Sequence, residues 1–319
     1  MTSTVDSMPV RLAYHSKSGF SRRKFINRIM LTITGIFTAF AIVPLVWIIV
    51  YVIYKGAVYI TPSFFTQMPR PLGVEGGGVL HAIEGTILLA FLASLFAVPP
   101  AILAAIYVAN RPNTPLGVLT RFATDVLAGV PTIVIGLFGY ALVVKRQGHY
   151  SALAGGIALA IVMFPIVLRT TEEMIKLVPQ SLREASLALG AAEWKTNLSV
   201  ILPAASNGII TGILLGMARA SGETAPLLFT ALGNENYEVG RIIKSGAANK
   251  LGVFAILGKI FEQPVDSLPL TLWKYAQQPF PERINQAWAV AFVLLLFVLL
   301  TNIIARLWVQ RRTSRMQGK

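Results

Sequence analysis

Arg219 and Glu223 stand four residues apart in a run, 204–230, that carries no other charge. That spacing puts both on one turn of a helix, where a guanidinium and a carboxylate can pair. An unpaired charge in hydrocarbon costs about 2.5–3.5 kcal/mol even on insertion scales, so the two demand a mutual pair, a water-filled cavity, or both. Two uses fit. One is a salt bridge that holds a helix bundle together; the other is the polar lining of an anion pathway, in which the planar guanidinium fork meets an oxyanion. Pro226, three residues on, lacks a backbone donor and breaks or kinks the helix there, leaving backbone groups that need polar surroundings. Bond-making chemistry finds no such support. The nearest approach to a phosphate-cradling loop, Gly252 then Gly258-Lys259-Ile260, is one residue too long and lacks the hydroxyl that would bind magnesium. There is no cysteine, and the three histidines (His15, His81, His149) are scattered. The sequence therefore argues against an enzyme active site, a metal site or a cofactor in this chain; any ATP and magnesium would sit on another chain.

A second polar stretch, 181–203, lies between apolar runs yet carries Arg183, Glu184, Glu193, Trp194 and Lys195. Ser181 with Glu184 three residues later reads as a capping box that starts a helix. Leu182, Ala185 and Leu189 share one face at helical spacing. Gly190 is placed to end that helix in a left-handed turn. A second short helix over 191–200 would then run back to Leu202-Pro203. The product is a helix–glycine–helix elbow at a membrane surface, with Glu184 open to a partner; from the residues alone, a plain surface loop serves as well. In the next apolar run Gly208, Gly212, Gly216 and Ala220 recur every four residues. Such a smooth stripe lets two membrane helices approach closely. Ordinary packing explains the stripe; the functional reading is that the close neighbour belongs to a partner subunit.

These residues need spans to position them. Of 319 residues 55% are apolar and 13% charged, against about 25% charged in a soluble domain. The chain is therefore an integral membrane protein. Its 28 Lys+Arg against 14 Asp+Glu would suggest nucleic acid on a soluble chain; here basic loops facing anionic lipid explain the excess, and no nucleic-acid partner is expected. Apolar runs at 29–54, 85–110, 122–144, 150–168, 204–230 and 284–305 each approach the ~20 residues a bilayer requires. The expected organisation is a basic tail 1–28, a six-helix domain 29–308 and a basic tail 309–319. No cleavage signature follows the first run, so it reads as a retained span.

Six spans put both termini on one side. With the termini, 109–121 and the elbow region 169–203 inside, the inner pieces hold 17 Lys/Arg and the outer ones 10, which favours both termini and the elbow in the cytoplasm. Of the outer pieces, 55–84 should be irregular, given Pro62, Pro69, Pro71 and Gly76-Gly77-Gly78. The loop 231–283 is long enough for structure of its own. Ser267 is expected to cap a short helix through Gln277, lying at the membrane interface.

The run Glu184-Ala185-Ser186, with Gly190 four positions on and then Val200 and Leu202-Pro203, resembles the EAA loop of ABC-importer permeases. Ser186 stands for the usual alanine and Val200 for isoleucine. The stretch 218–228, ARASGETAPLL, resembles the signature of phosphate-importer permeases, closer to the PstA type than to the PstC type. Arg169-Thr170-Thr171-Glu172-Glu173 and Ser267-Leu268-Pro269-Leu270 continue the likeness, which covers roughly 80–310. It implies an all-α permease of six transmembrane helices with a cytoplasmic coupling elbow. Arg183, Glu184, Ala185, Ser186 and Gly190 would engage the ATPase, and Arg219, Glu223, Thr224 and Arg169 would line the substrate pathway. The implied partners are a PstC-type permease, two PstB-type ATPase subunits and an external PstS-type binding protein, in a bacterial cytoplasmic membrane. The cargo would be phosphate, with molybdate, sulfate or phosphonate as alternatives; a passive anion channel and a structural membrane subunit are readings of other classes.

Overall fold

A computed structural model describes residues 17–71, 74 and 76–317. Residues 1–16 and 318–319, the outer parts of the two expected tails, lie outside the described residues, as do the side chains of 308–317. The chain divides into two units, 1–53 and 54–319. The described part of the first is one helix, α1 (Lys17–Gly56), which runs on three residues into the second unit. It is apolar around its circumference, with Phe37, Phe40 and Trp47 all exposed. A helix of that kind suits lipid rather than water.

The second unit contains α2 (Pro62–Thr66), α3 (Leu80–Asn110), α4 (Pro115–Gly129), α5 (Thr132–Gly139), α6 (Lys145–Gln147) and α7 (Ala152–Lys176). Next come α8 (Gln180–Ala188), α9 (Glu193–Thr196), α10 (Leu202–Ser221), α11 (Ala225–Thr230), α12 (Val239–Ala248), α13 (Val253–Glu262), α14 (Leu268–Ala276) and α15 (Pro281–Gln317). Two five-residue π-helical turns, Tyr140–Val144 and Asn197–Ile201, join α5 to α6 and α9 to α10. No strand occurs among the described residues.

Helix α7 is the axis of this unit, packed against α3 on one side and α10 on another. Small residues make that possible. On α3, Ala93, Ala97, Ala101 and Ala105 recur every four residues and are all buried. On α7, a Cβ at Gly156 would lie 2.5 Å from the Cβ of Leu92, so only glycine admits α3 there. Leu89, Leu92, Leu159, Met163 and Leu168 fill the centre of the resulting core.

Among the described residues five helices are long and apolar enough to cross a membrane, six if one bent pair counts as a span. That pair corrects the expected third span, 122–144. It is not one helix: α4 stops at Gly129, α5 starts at Thr132, and the two are bent by 105°. Pro131 is the cause, since it offers no N–H and drives Val130 extended (φ −69°, ψ 131°). The expected fifth span, 204–230, is likewise interrupted: α10 ends at Ser221 and α11 restarts at Ala225, with Pro226 in its first turn.

The segment 231–280 is structured throughout most of its length. Ser267 accepts a hydrogen bond from the Leu270 backbone N–H (3.4 Å) at the start of α14. The apolar face expected to lie on the membrane interface is turned into protein instead. Leu268, Pro269, Leu270, Thr271 and Tyr275 are buried, because α14 packs on α15 and α3. Its anchor is polar: Thr86 accepts from the Leu268 N–H (2.8 Å), and Asp266 pairs with Lys274 (2.9 Å). Burial pushes the phenols of Tyr237 and Tyr275 far above their ordinary range, with Glu84 and Glu235 adding to the respective effects. Tyr237 donates its hydroxyl proton to Ile260 O (3.2 Å).

Candidate functional site

Two polar stations flank the α7–α10 pair, an exposed elbow at one end and an ion pair at a helix break toward the other.

The elbow is α8, a glycine turn and α9. Pro179 (φ −55°, ψ 132°) occupies the cap position of α8, with no side-chain cap. The capping box expected from Ser181 and Glu184 therefore does not form. Proline's locked φ starts the helix before Ser181, which falls inside the first turn instead of ahead of it. The Glu184 carboxylate has no hydrogen bond or ion pair among the described residues and is exposed. At the other end, Gly190 adopts φ +81°. Its N–H donates to Leu187 O (2.9 Å) and that of Ala191 to Ser186 O (3.3 Å), the paired bonds of a Schellman turn. Nothing lies within 4 Å of a Cβ at Gly190, so conformation alone asks for glycine there.

Side chains lock the two legs. The hydroxyls of Ser186 and Thr196 are 2.9 Å apart. Arg183 donates to Asn110 Oδ1 (2.6 Å), and Arg111 lies 3.6 Å from Glu193, so both legs are tied to the end of α3. Arg183 thus points back into the chain rather than outward beside Glu184. The outward surface is apolar at its tip, with Leu189 90% and Trp194 66% exposed. Large apolar side chains this open on a polar elbow call for a covering partner.

From the elbow, α10 runs beside α7. The glycine stripe on α10 faces this chain's own α7. A Cβ at Gly208 would meet Met174, one at Gly212 would lie 2.7 Å from Thr170 Cβ, and one at Gly216 would be 3.0 Å from Met163 Cγ. The partner-subunit reading is therefore replaced by an internal contact, and Ala220, at 1% exposure, continues it. Beyond the stripe Arg219 Nη2 lies 3.1 Å from Glu223 Oε1. The guanidinium is 58% exposed and the carboxylate 14%, so the carboxylate anchors and the fork reaches out. Beside them the chain leaves helical hydrogen bonding over 222–224, and the buried Ser221 hydroxyl has no partner among the described residues. Thr224 begins the next helix, its carbonyl accepting from Leu227 N (3.1 Å).

Arg169 is not brought to Arg219. It belongs to a separate ionic group on α4 and α7, pairing with Asp125 and lying 3.7 Å from Glu172. Glu172, buried in the core, also accepts from Arg121 (2.6 Å) and Lys176 (2.6 Å). Judged by the facing pairs Gly212–Thr170 and Gly216–Met163, Arg169 sits roughly 9 Å nearer the elbow than Arg219 along the helix axis. Reading the sequence for charge in apolar runs missed Glu172, Arg121 and Asp125. A signal existed for Glu172, which falls on the buried α7 stripe with Leu168 and Ile175.

Residues 101–314 match the family model described as "Binding-protein-dependent transport system inner membrane component". The phosphate transport system permease protein PstA of Yersinia pestis is 41% identical over 291 residues, which is 91% of each chain. The PstA 1 protein of Mycobacterium tuberculosis strain H37Rv is 36% identical over 290 residues, 89% of this chain and 87% of that one. Among solved structures, an inward-facing form of the MetNI methionine ABC transporter superposes with a TM-score of 0.55 at 16% identity, covering 73% of this chain and 95% of that one. The last likeness concerns the fold alone.

Proposed function

The chain belongs to the binding-protein-dependent transport system inner membrane components, and within them to the PstA phosphate permeases, and on that premise we propose that it is the phosphate-conducting half of an ATP-driven importer. As a multi-pass permease of an ABC importer it works with an ATPase and a second permease. We assign those roles to two PstB-type subunits, which hold the ATP and magnesium, and one PstC-type subunit, with a PstS-type protein delivering phosphate from outside. Both termini and the elbow face the cytoplasm in this reading.

The observation that carries it is the elbow, tied to α3 by Arg183 and Glu193 and continuous with α10. The exposed surface of Glu184, Ala185, Leu189 and Trp194 is where the ATPase would grip. Motion there is delivered down α10, whose stripe leaves no slack against α7. Arg219 lies 17 residues from the helix start, roughly 25 Å away. Rotation of α10 would swing the Arg219 fork and the break at 222–224 relative to α5 and α11. Arg219, Glu223 and Thr224 would then offer and withdraw a polar surface for the oxyanion, with Arg169 as a second station nearer the elbow. Phosphate suits the fork, since two parallel N–H donors match two of its oxygens.

The test is ATP-dependent uptake of labelled phosphate, sulfate and molybdate by proteoliposomes holding the assembled transporter. Phosphate should accumulate, and the other two should not compete. Uptake without ATP would point to a channel, and uptake of another oxyanion would reassign the cargo.

A further inference from the structure

Where α7 ends and α8 begins, the fold leaves an open cavity of about 350 Å³, within the size range of small-ligand sites. Its polar lining is Asn110, Lys176, Gln180 and Arg183, and no carboxylate lines it. The charges around it do not balance. Arg183 bonds only to the neutral Asn110 Oδ1 and has no carboxylate within 4 Å among the described residues. Lys176 does bond Glu172, but that carboxylate is shared with Arg121 and Arg169, and Arg169 also uses Asp125. Three cations therefore share two carboxylates, and Arg183 lines the cavity with no carboxylate partner of its own. A guanidinium, an ammonium and two amide side chains around one space are donors for an oxyanion.

We propose that this cavity binds a phosphate-type oxyanion, and that the bound anion ties Arg183 on α8 to Lys176 on α7 and so restrains the elbow. Such a ligand is either free phosphate or the phosphate of an anionic lipid headgroup. Restraint of transport rests on the reading of α8 and α9 as the coupling elbow; binding does not. Arrival of product at this site would slow further import.

The chain lacks cysteine, so Leu177→Cys, exposed at the hinge and outside the cavity lining, can carry an environment-sensitive fluorophore in an otherwise cysteine-free transporter. Inorganic phosphate would be titrated into nanodiscs of phosphatidylcholine, with ATP hydrolysis followed in parallel and sodium chloride of equal ionic strength as control. A saturable fluorescence change that chloride does not reproduce is expected, together with slower hydrolysis. Arg183→Gln and Lys176→Gln should each raise the half-saturating concentration about tenfold, as loss of a charge-assisted hydrogen bond does. If the ligand is a headgroup, nanodiscs containing phosphatidylglycerol show the changed signal before phosphate is added, and the same two substitutions reverse it. The proposal is overturned if neither disc shows the change, if both substitutions leave it unaltered, or if Arg219→Lys alone abolishes it, which would place the anion in the pathway. Should Arg183→Gln fail to assemble, Lys176→Gln at the rim decides. Absent phosphate uptake in proteoliposomes would refute the permease reading without touching this titration.

Discussion

Gly212→Ala is the sharpest probe of how force crosses this protein. The added Cβ would sit 2.7 Å from Thr170 Cβ and nearer still to its hydroxyl, where ordinary contact begins near 3.4 Å. Thr170 Cβ is fixed to the backbone and cannot rotate away, so α7 and α10 must part by about 0.7 Å or bend. Overpacking of this kind costs about 1–3 kcal/mol, and alanine's better helix propensity returns up to about 1 kcal/mol. A net loss of up to about 2 kcal/mol is expected. At Gly216 the new atom would meet Met163 Cγ at 3.0 Å and Val167 Cγ2 at 3.2 Å, a few tenths of an ångström too close, so Gly216→Ala should cost less than Gly212→Ala. Reversible unfolding of the purified chain in detergent, with equilibrium pairing to the second permease measured separately, distinguishes the sites. Gly212→Ala should lower the chain's own stability, and adding Thr170→Gly should restore most of it. Normal unfolding with lost pairing would mean that the stripe faces the partner, and the transmission described for α10 would be wrong.

Glu184→Gln should leave the amount of folded protein unchanged, because that carboxylate caps nothing, while ATPase retention on affinity purification and phosphate uptake both fall; wild-type retention would remove the charge from the coupling contact. Gly190→Val should cost about 1–3 kcal/mol of elbow order for a left-handed β-branched residue, and Gly190→Asn far less, since asparagine tolerates that region; equal damage in a co-purification assay would implicate a steric contact instead. Replacing both members of the Arg219–Glu223 pair by apolar residues leaves no uncompensated charge and is often neutral, so Arg219→Met with Glu223→Leu should unfold almost as the parent does and yet transport nothing. Normal uptake by that double variant would remove the pair from the pathway.

The elbow could be read because its determinants are local. Gly190 ends α8 by backbone conformation alone, and glycine declares that in the sequence. The capping box misled for the same local reason, as Pro179 puts the cap two positions before Ser181. The spans were legible as apolar runs, but the bend at Pro131 was not, since a proline inside such a run permits either a kink or a full turn. Packing partners lay beyond reach. A glycine stripe announces a close neighbour without naming it, and only the placement of Met174, Thr170 and Met163 assigns α7. The alanine stripe of α3 carries the same message in a residue too common to stand out. The Glu172 group joins residues 44–51 positions apart, and the apolar face of α14 gave no sign that it meets protein, because amphipathic spacing does not distinguish a lipid surface from a second layer of protein.

The central claim is that the exposed elbow is the handle by which an ATPase drives α10. It is tested most directly by Leu189→Cys, labelled with a photoactivatable cross-linker in the cysteine-free chain and assembled with its partners in lipid. Illumination should join this chain to the ATPase in high yield, and trapping the nucleotide-bound state with a non-hydrolysable ATP analogue should change that yield. A complex that hydrolyses ATP and takes up phosphate but yields no such adduct, or yields adducts only with lipid, would contradict the account.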